Sequence, residues 1–257
     1  PLINTMNLSH ILPLSSTWKG DEYNPNPKFP KNSPALFKAV TTGSTPFNFN
    51  IHVEDLGHNI IFGAPGSGKT TLLDLLAGIY KPNTGSVKIL DADLTLMKAR
   101  QRDQFRADHI GLIFQQFNLL PFLNVIDNVI MPCHFSKKRK EKTLTSGAPS
   151  EVAKNILDKL GFSENLFDRN VTELSVGEQQ RVAVARALMN EPSVILADEP
   201  SGNLDTETSQ QLHELFFELR DKDQHTFIIV THNTELAKMS DRTLVMKDGA
   251  IIDNLIN

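Results

Sequence analysis

One stretch constrains the fold of this 257-residue chain more than any other: Gly63-Ala64-Pro65-Gly66-Ser67-Gly68-Lys69-Thr70. It fits the spacing G-x-x-x-x-G-K-[ST]. Just before it, Asn59 to Phe62 is mostly apolar and β-branched, which reads as a short buried strand. Just after it, Thr71 to Gly78 carries Leu72, Leu73, Leu75, Leu76 and Ala77, strong helix formers at helical spacing. Strand, glycine loop and helix turn successive backbone N–H groups into one concavity at the positive end of the helix, a cradle for phosphate. In such a cradle Lys69 reaches the β- and γ-phosphates of a nucleotide, and the Thr70 hydroxyl is a ligand for Mg²⁺. The expected nucleotide-binding set is Gly63, Ala64, Pro65, Gly66, Ser67, Gly68, Lys69, Thr70 and Thr71.

The rest of the composition narrows the partners. A formal net charge of −4 gives no bulk attraction to nucleic acid or an anionic membrane. The single cysteine, Cys133, excludes an internal disulfide and points to a reducing compartment. No apolar run approaches the roughly 20 residues that span a bilayer, and the first residues lack the pattern of a secretory signal. The length suits one large α/β domain, or one domain with a small insert.

Prolines 13, 25, 27, 30, 34 and 46 make residues 1 to about 45 read as extended loop with short strands. Phe47 to Val53 alternates with period two, and Asp55 to His58 is a turn, so a hairpin is expected to lead into the glycine loop. Strands are expected at Ser86 to Leu90 and Ile110 to Phe114, with a polar helix over 94–108 between them. Residues 122–172 read as several helices, one of them ending at Gly161. The run Lys137-Lys138-Arg139-Lys140 reads as a solvated helix end or loop in preference to a contact for lipid headgroups or nucleic acid. Ser175 is an expected N-cap for a helix through Met189. The strand Ser193 to Ala197 ends in Asp198 and Glu199, carboxylates suited to holding Mg²⁺ and polarising an attacking water. Thr208 to Arg220 is an amphipathic helix, Thr226 to Thr231 a buried strand ended by His232, and Leu244 to Ile252 a closing hairpin through Asp248-Gly249.

Two resemblances follow from these residues. Pro13 to Gly20, Ser33 to Leu36, Thr41 to Phe47 and His52 to His58 resemble ATPases of conjugative (type IV) secretion systems, in a segment of residues 1 to about 73. From about residue 60 to 257 the chain resembles ATP-binding-cassette (ABC) transporter ATPases. Six short motifs stand in that family's order: the P-loop, Gln115 of the Q-loop, the signature Leu174-Ser175-Val176-Gly177-Glu178, the Walker B strand ending Asp198-Glu199, the D-loop through Asp205, and His232. Within the family, Leu174 to Leu188 and Val194 to Asp205 are most similar to the lipoprotein-releasing and macrolide-exporter type.

The resemblance implies an α/β fold, a P-loop NTPase of RecA-like type with a mixed sheet core and a helical subdomain. It implies an atypical segment at 1–58, a core at 59–121 and 190–257, and a helical subdomain at 122–189. ATP and Mg²⁺ are the implied ligands, the metal held by Thr70, Gln115 and Asp198. Glu199, Gln115 and His232 are the implied catalytic residues. Ser175, Val176, Gly177 and Glu178 would meet the ATP of a second copy, with Asp205 coupling the two sites. Val176 stands where the family usually has glycine, which puts that trans contact in question. The implied partners are a second ATPase subunit and transmembrane permease subunits, at the inner face of the cell membrane, with no nucleic acid expected. Two alternatives stay open: a conjugative-type ATPase, which lacks the signature, and a nucleotide-binding P-loop protein with little turnover. Trp18, Tyr23 and Phe37 are the candidates to stack on adenine.

Overall fold

The computed structural model describes residues 37–40, 46–49, 58–83, 85–90, 92–189, 191–223 and 225–256. In chain order the elements are β1 (Phe37–Val40), β2 (Pro46–Phe49), β3 (His58–Phe62), α1 (Lys69–Leu76), β4 (Lys88–Ile89), β5 (Ala92–Asp93) and α2 (Ala99–His109). Then come β6 (Ile110–Ile113), α3 (Val125–Ile130), α4 (Pro132–Phe135), α5 (Lys137–Ser146), α6 (Pro149–Lys159) and α7 (Val176–Leu188). The chain closes with β7 (Val194–Asp198), α8 (Thr206–Asp223), β8 (Phe227–Thr231), α9 (Thr234–Met239), β9 (Arg242–Lys247) and β10 (Ala250–Ile256). Two compact units divide it: the described residues up to Asp103 with those from Thr226 onward, and Gln104–His225.

The first unit is built on β3. This strand pairs in parallel with β8 on one edge, Phe62 opposite Thr231, and with β9 on the other, Phe62 opposite Val245. The strand β10 adds antiparallel to β9, so the sheet is mixed and runs β10-β9-β3-β8. Ile60, Ile61 and all of Phe227 to Thr231 are buried, the near-continuous burial that parallel strands covered on both faces require. The hairpin expected to join Phe47–Val53 to Asn59–Phe62 is not formed. Instead β2 pairs antiparallel with β1, Phe37 opposite Phe49, and β3 has both edges filled, leaving none for β2. Residues 50–57 lie outside the described residues. The strand expected over Ser86–Leu90 shortens to a two-residue ladder, Lys88–Ile89 on Ala92–Asp93. The closing hairpin forms as expected. Asp248 (φ 49°) and Gly249 (φ 80°) both take the left-handed conformation that a type I′ turn needs.

The second unit holds the parallel pair β6–β7, Ile110 opposite Val194 and Ile113 opposite Ala197. The helix α7 packs against β6, α3 and α6, and Val182, Ala183, Val184 and Ala185 are each 0 % exposed. Close approach depends on Gly111, where an added Cβ would lie 2.6 Å from the Ala187 carbonyl oxygen. Residues 122–189 carry α3 to α7 and lie wholly within this unit. Gly161 (φ 66°) ends α6 as expected.

The basic run is a helix end with Lys137, Lys138 and Lys140 exposed, and only Arg139 differs from the solvated reading. The run opens α5, which the Ser136 side chain caps by accepting from the Arg139 N–H at 2.9 Å. Arg139 points inward, 3 % exposed, and donates to the carbonyl oxygens of Ile110 (2.7 Å) and Met189 (3.2 Å). It thereby ties α5 to the start of β6 and the end of α7. Burial lowers its pKa to about 10, so it stays charged at neutral pH. Arg139→Met strands two buried carbonyls and is expected to cost about 2–4 kcal/mol. Urea unfolding should show a lower midpoint at unchanged slope, while exposed Lys140→Met stays within about 0.5 kcal/mol of the parent.

Candidate nucleotide site

The glycine loop leaves the end of β3, where the Gly63 N–H donates to the Thr231 carbonyl oxygen at 3.3 Å. Gly63 must be glycine: a Cβ there would lie 2.4 Å from the Met246 carbonyl oxygen and 2.7 Å from Ser67 Oγ. The loop then turns through left-handed Gly66 (φ 80°) and Gly68 (φ 95°), and Gly68 caps α1. From the other side the Gly249 N–H donates to the Ser67 carbonyl oxygen at 3.0 Å, so the β9–β10 turn props the loop. Lys69 is 6 % exposed, and its ammonium folds back onto the carbonyl oxygens of Gly63 (2.5 Å) and Ala64 (3.0 Å). Ser67 Oγ is buried and has no hydrogen-bond partner among the described residues, a polar atom that a phosphate oxygen would satisfy. Thr70 is exposed and Thr71 partly so, at the first turn of α1. His232 directly follows β8 and is exposed. The register of β3 and β8 places it at the same sheet end as the loop.

The remaining candidates belong to the second unit. The register of β6 and β7 brings Gln115 and Asp198-Glu199 to one end of that strand pair, since each follows closely on Ile113 or Ala197. Asp198 and Glu199 are partly buried. Glu199 holds a left-handed φ of 44°, a conformation that costs a non-glycine residue about 1–3 kcal/mol. Its carbonyl accepts the Gly202 N–H at 3.0 Å. Asp205 caps α8: its two carboxylate oxygens accept the Thr208 N–H (2.9 Å) and the Thr208 hydroxyl (2.7 Å). The Thr208 N–H is the main reason its carboxyl sits below the usual range.

Ser175 caps α7 through a complete capping box. Its Oγ accepts from the Glu178 N–H at 3.3 Å, and its own N–H and hydroxyl donate to Glu178 Oε2 at 2.7 and 2.8 Å. Glu178 is therefore a cap residue as well as a signature residue. Val176 is the first residue of α7, has no positive φ, and leaves its side chain 49 % exposed. A β-branched residue fits that backbone without strain. Gly177 is the position that needs glycine, because an added Cβ would meet the Thr208 methyl at 2.9 Å.

Several polar side chains around these motifs went unnoticed in the sequence. Asn203 Nδ2 donates to the Gln115 carbonyl oxygen at 2.7 Å. His213, on α8, is 6 % exposed and lies 3.0 Å from Ser201 Oγ; burial lowers its pKa, which favours the neutral ring. Arg186 donates to Phe117 and Asn118. The available signal for Arg186 was a charge on the otherwise apolar stretch Val182 to Leu188. Asn203 lies in the D-loop stretch Ser201 to Asp205 with no sign of its partner, and His213 carried no signal. Of the adenine-stacking candidates, Trp18 and Tyr23 lie outside the described residues, and only the backbone of Phe37 is described.

A family model described as ABC transporter matches residues 47–202, more than half of the chain. The chain belongs to the ABC transporter family. A lipoprotein-releasing system ATP-binding protein LolD from Cytophaga hutchinsonii is 47 % identical over 192 residues, covering 75 % of this chain and 84 % of that protein. A macrolide export ATP-binding/permease protein MacB from Rhodopirellula baltica is 38 % identical over 205 residues, 80 % of this chain and 29 % of that protein. The dimeric structure of a bacterial ABC transporter cassette superposes with a TM-score of 0.71 at 31 % identity, covering 86 % of this chain and 98 % of that one. A second dimeric cassette, in a post-hydrolysis state bound to ADP and Pi, gives 0.69 at 31 % identity, covering 86 % and 96 %. The α/β P-loop NTPase fold and the transporter ATPase activity expected from sequence are thus established for this ABC protein. The match starts at residue 47, upstream of the start of the ABC resemblance at about residue 60, and takes in part of the segment likened to conjugative ATPases. That second resemblance gains no support from the comparisons.

The close approach at Gly177 yields a test of how α7 meets α8. Gly177→Ala is expected to destabilise the protein by about 1–3 kcal/mol through overpacking. Thr208→Ser removes the opposing methyl and keeps the hydroxyl that Asp205 accepts, so the double variant should recover most of the loss in a urea melt.

Proposed function

We propose that this ABC ATPase drives lipoprotein release by closing two copies over two molecules of Mg-ATP, at the inner face of the cell membrane. The observation that carries the reading is the glycine loop, with Lys69 held inside it on loop carbonyls and Ser67 Oγ unsatisfied. A phosphate oxygen would satisfy Ser67 Oγ. The 47 % identity to the LolD of Cytophaga hutchinsonii against 38 % to the MacB of Rhodopirellula baltica, with 84 % of the first and 29 % of the second covered, favours release over export. Among the described residues no helix is long and apolar enough to cross a membrane, so the reading needs a separate or appended transmembrane partner. The helical subdomain at 122–189 would dock it, and exposed Phe122 (74 %) and Phe135 (67 %) offer apolar surface there.

Each residue has a part. The N–H groups of Gly66 to Thr71 and the Lys69 ammonium hold the β- and γ-phosphates. Thr70, Asp198 and Gln115 are the residues that would hold Mg²⁺ through oxygen ligands, and the ion would neutralise phosphate charge. Glu199 accepts a proton from the attacking water, Gln115 orients that water, and His232 contacts the γ-phosphate. Ser175 and Gly177 of a second copy complete the site, with Asp205 coupling the two. For that to happen the Ser175 hydroxyl must exchange Glu178 for a phosphate oxygen.

Two substitutions test this reading. Lys69→Ala removes the loop's cation, and a charge-assisted hydrogen bond contributes roughly 1.5–3 kcal/mol. Calorimetry should show ATP affinity reduced by tenfold or more; equal affinity rejects the assignment of the loop. Glu199→Gln should bind Mg-ATP as the parent does, lose roughly 10²–10⁴-fold in turnover, and elute as an ATP-dependent dimer in size-exclusion chromatography. A monomer with and without Mg-ATP speaks against closure over two nucleotides, and an ATP-dependent hexamer favours a ring-forming machine.

A further inference from the structure

Beside its own turn bonds, such as Phe117 N–H to the Phe114 carbonyl oxygen at 3.1 Å, the backbone that follows Gln115 is held by side chains from elsewhere in the second unit. The Gln115 carbonyl oxygen accepts from Asn203 Nδ2 at 2.7 Å. Those of Phe117 and Asn118 accept from Arg186 Nη2 (2.5 Å) and Nη1 (2.7 Å). Leu120 exchanges two bonds with Asn128, its N–H donating to Oδ1 at 2.8 Å and its carbonyl accepting from Nδ2 at 3.1 Å. Asn128 is 1 % exposed.

The segment needs holding. Phe117 (φ 42°) and Asn118 (φ 50°) are consecutive left-handed residues without a glycine, a conformation that L side chains rarely adopt. Such a turn persists only where its surroundings over-determine it. Arg186 spans the two strained residues with the two arms of one guanidinium, which a lysine could not do. Burial is the cause that lowers the Arg186 pKa to about 10, so it enters the contact as a cation at neutral pH. It projects from the last turn of the helix that Ser175 begins. Asn203 stands in the loop between Glu199 and Asp205, where Gly202 also lies close: a Cβ there would be 3.1 Å from Gln115 Nε2.

We infer that Arg186 and Asn203 are positioning residues for Gln115: Arg186 holds the strained Phe117–Asn118 turn, and Asn203 ties Gln115 to the loop after Glu199. The inference rests on the role given to Gln115 above. It adds that Gln115 is set by two contacts, one from the signature helix and one from the D-loop. A shift of either element is then passed to Gln115 through a hydrogen bond to its backbone or to the turn behind it.

The test compares Arg186→Lys and Asn203→Ala with the parent in two assays. Hydrogen–deuterium exchange is followed for residues 115–121, and steady-state ATP turnover is measured with thermal melts as folding controls. Each variant is expected to raise exchange in 115–121 by about tenfold. Arg186→Lys should lower kcat by about tenfold, the scale of one lost charge-assisted bond, and Asn203→Ala by about threefold to tenfold, the scale of one neutral bond, with the KM for ATP within about twofold of the parent. Exchange in 115–121 equal to the parent's overturns the clamp, and raised exchange with parental kcat overturns the positioning role. Asn203 is exposed, so its truncation keeps the test open if Arg186→Lys folds poorly. Gln115→Ala runs alongside. If it turns over ATP like the parent, the role given to Gln115 fails, and the exchange data alone then uphold or reject the clamp.

Discussion

The parallel pairing of β3 on both edges is the constraint on which the first unit depends. A strand buried on both faces has no solvent to satisfy its N–H and C=O groups, so it needs a partner on each side. Here β8 and β9 fill those places. The consequence reaches past the strand. With the ladder in this register, the glycine loop leaves beside Thr231, hydrogen-bonds to it, and is propped by the turn at Asp248-Gly249. Lys69 and His232 then stand at one sheet end, though 163 residues separate them in sequence.

Backbone accounting also governs the second unit, with side chains taking the place of a ladder. Glu199, Phe117 and Asn118 all take left-handed backbone in loops that follow β7 and β6. Irregular loops leave carbonyls that must find donors. Gly202, Asn203, Arg186 and Asn128 provide them. The same logic explains Arg139, whose guanidinium satisfies carbonyls at the ends of β6 and α7. It explains the capping box too, where Glu178 and Ser175 satisfy each other's orphaned groups at the start of α7. One residue set thus serves stability and the chemistry proposed for it, and the Ser175–Glu178 contact is where those two uses compete.

Much of this was legible in the chain. The G-x-x-x-x-G-K-T spacing, the apolar runs ending in Asp198-Glu199 and in His232, the Ser175 cap, the Gly161 stop and the Asp248-Gly249 turn are local signals, and each is realised where it was expected. They could be read because each depends on residues within a few positions of one another. The strand Phe47–Val53 shows the limit. Its alternation spoke for a strand, and part of it is one, but periodicity holds no information about which edge a strand will find.

What the sequence alone determined is the family, the order of the six motifs and the residue types available for phosphate, metal and water. Spacing and hydropathy are enough for the glycine loop, because a glycine loop before a helix has one local geometry, while the family came from the resemblance of the six motifs. What only the tertiary structure decided is which polar groups hold those motifs in place. Arg139 and Arg186 turn inward while their neighbours on the same helices meet solvent or apolar core, Asn203 finds a carbonyl 88 positions away, and Gly177 rather than Val176 is the position where a side chain would crowd Thr208. The physical reason is that a buried carbonyl or a tight helix crossing is made by two segments at once. Neither segment carries a mark of the other until the chain has folded.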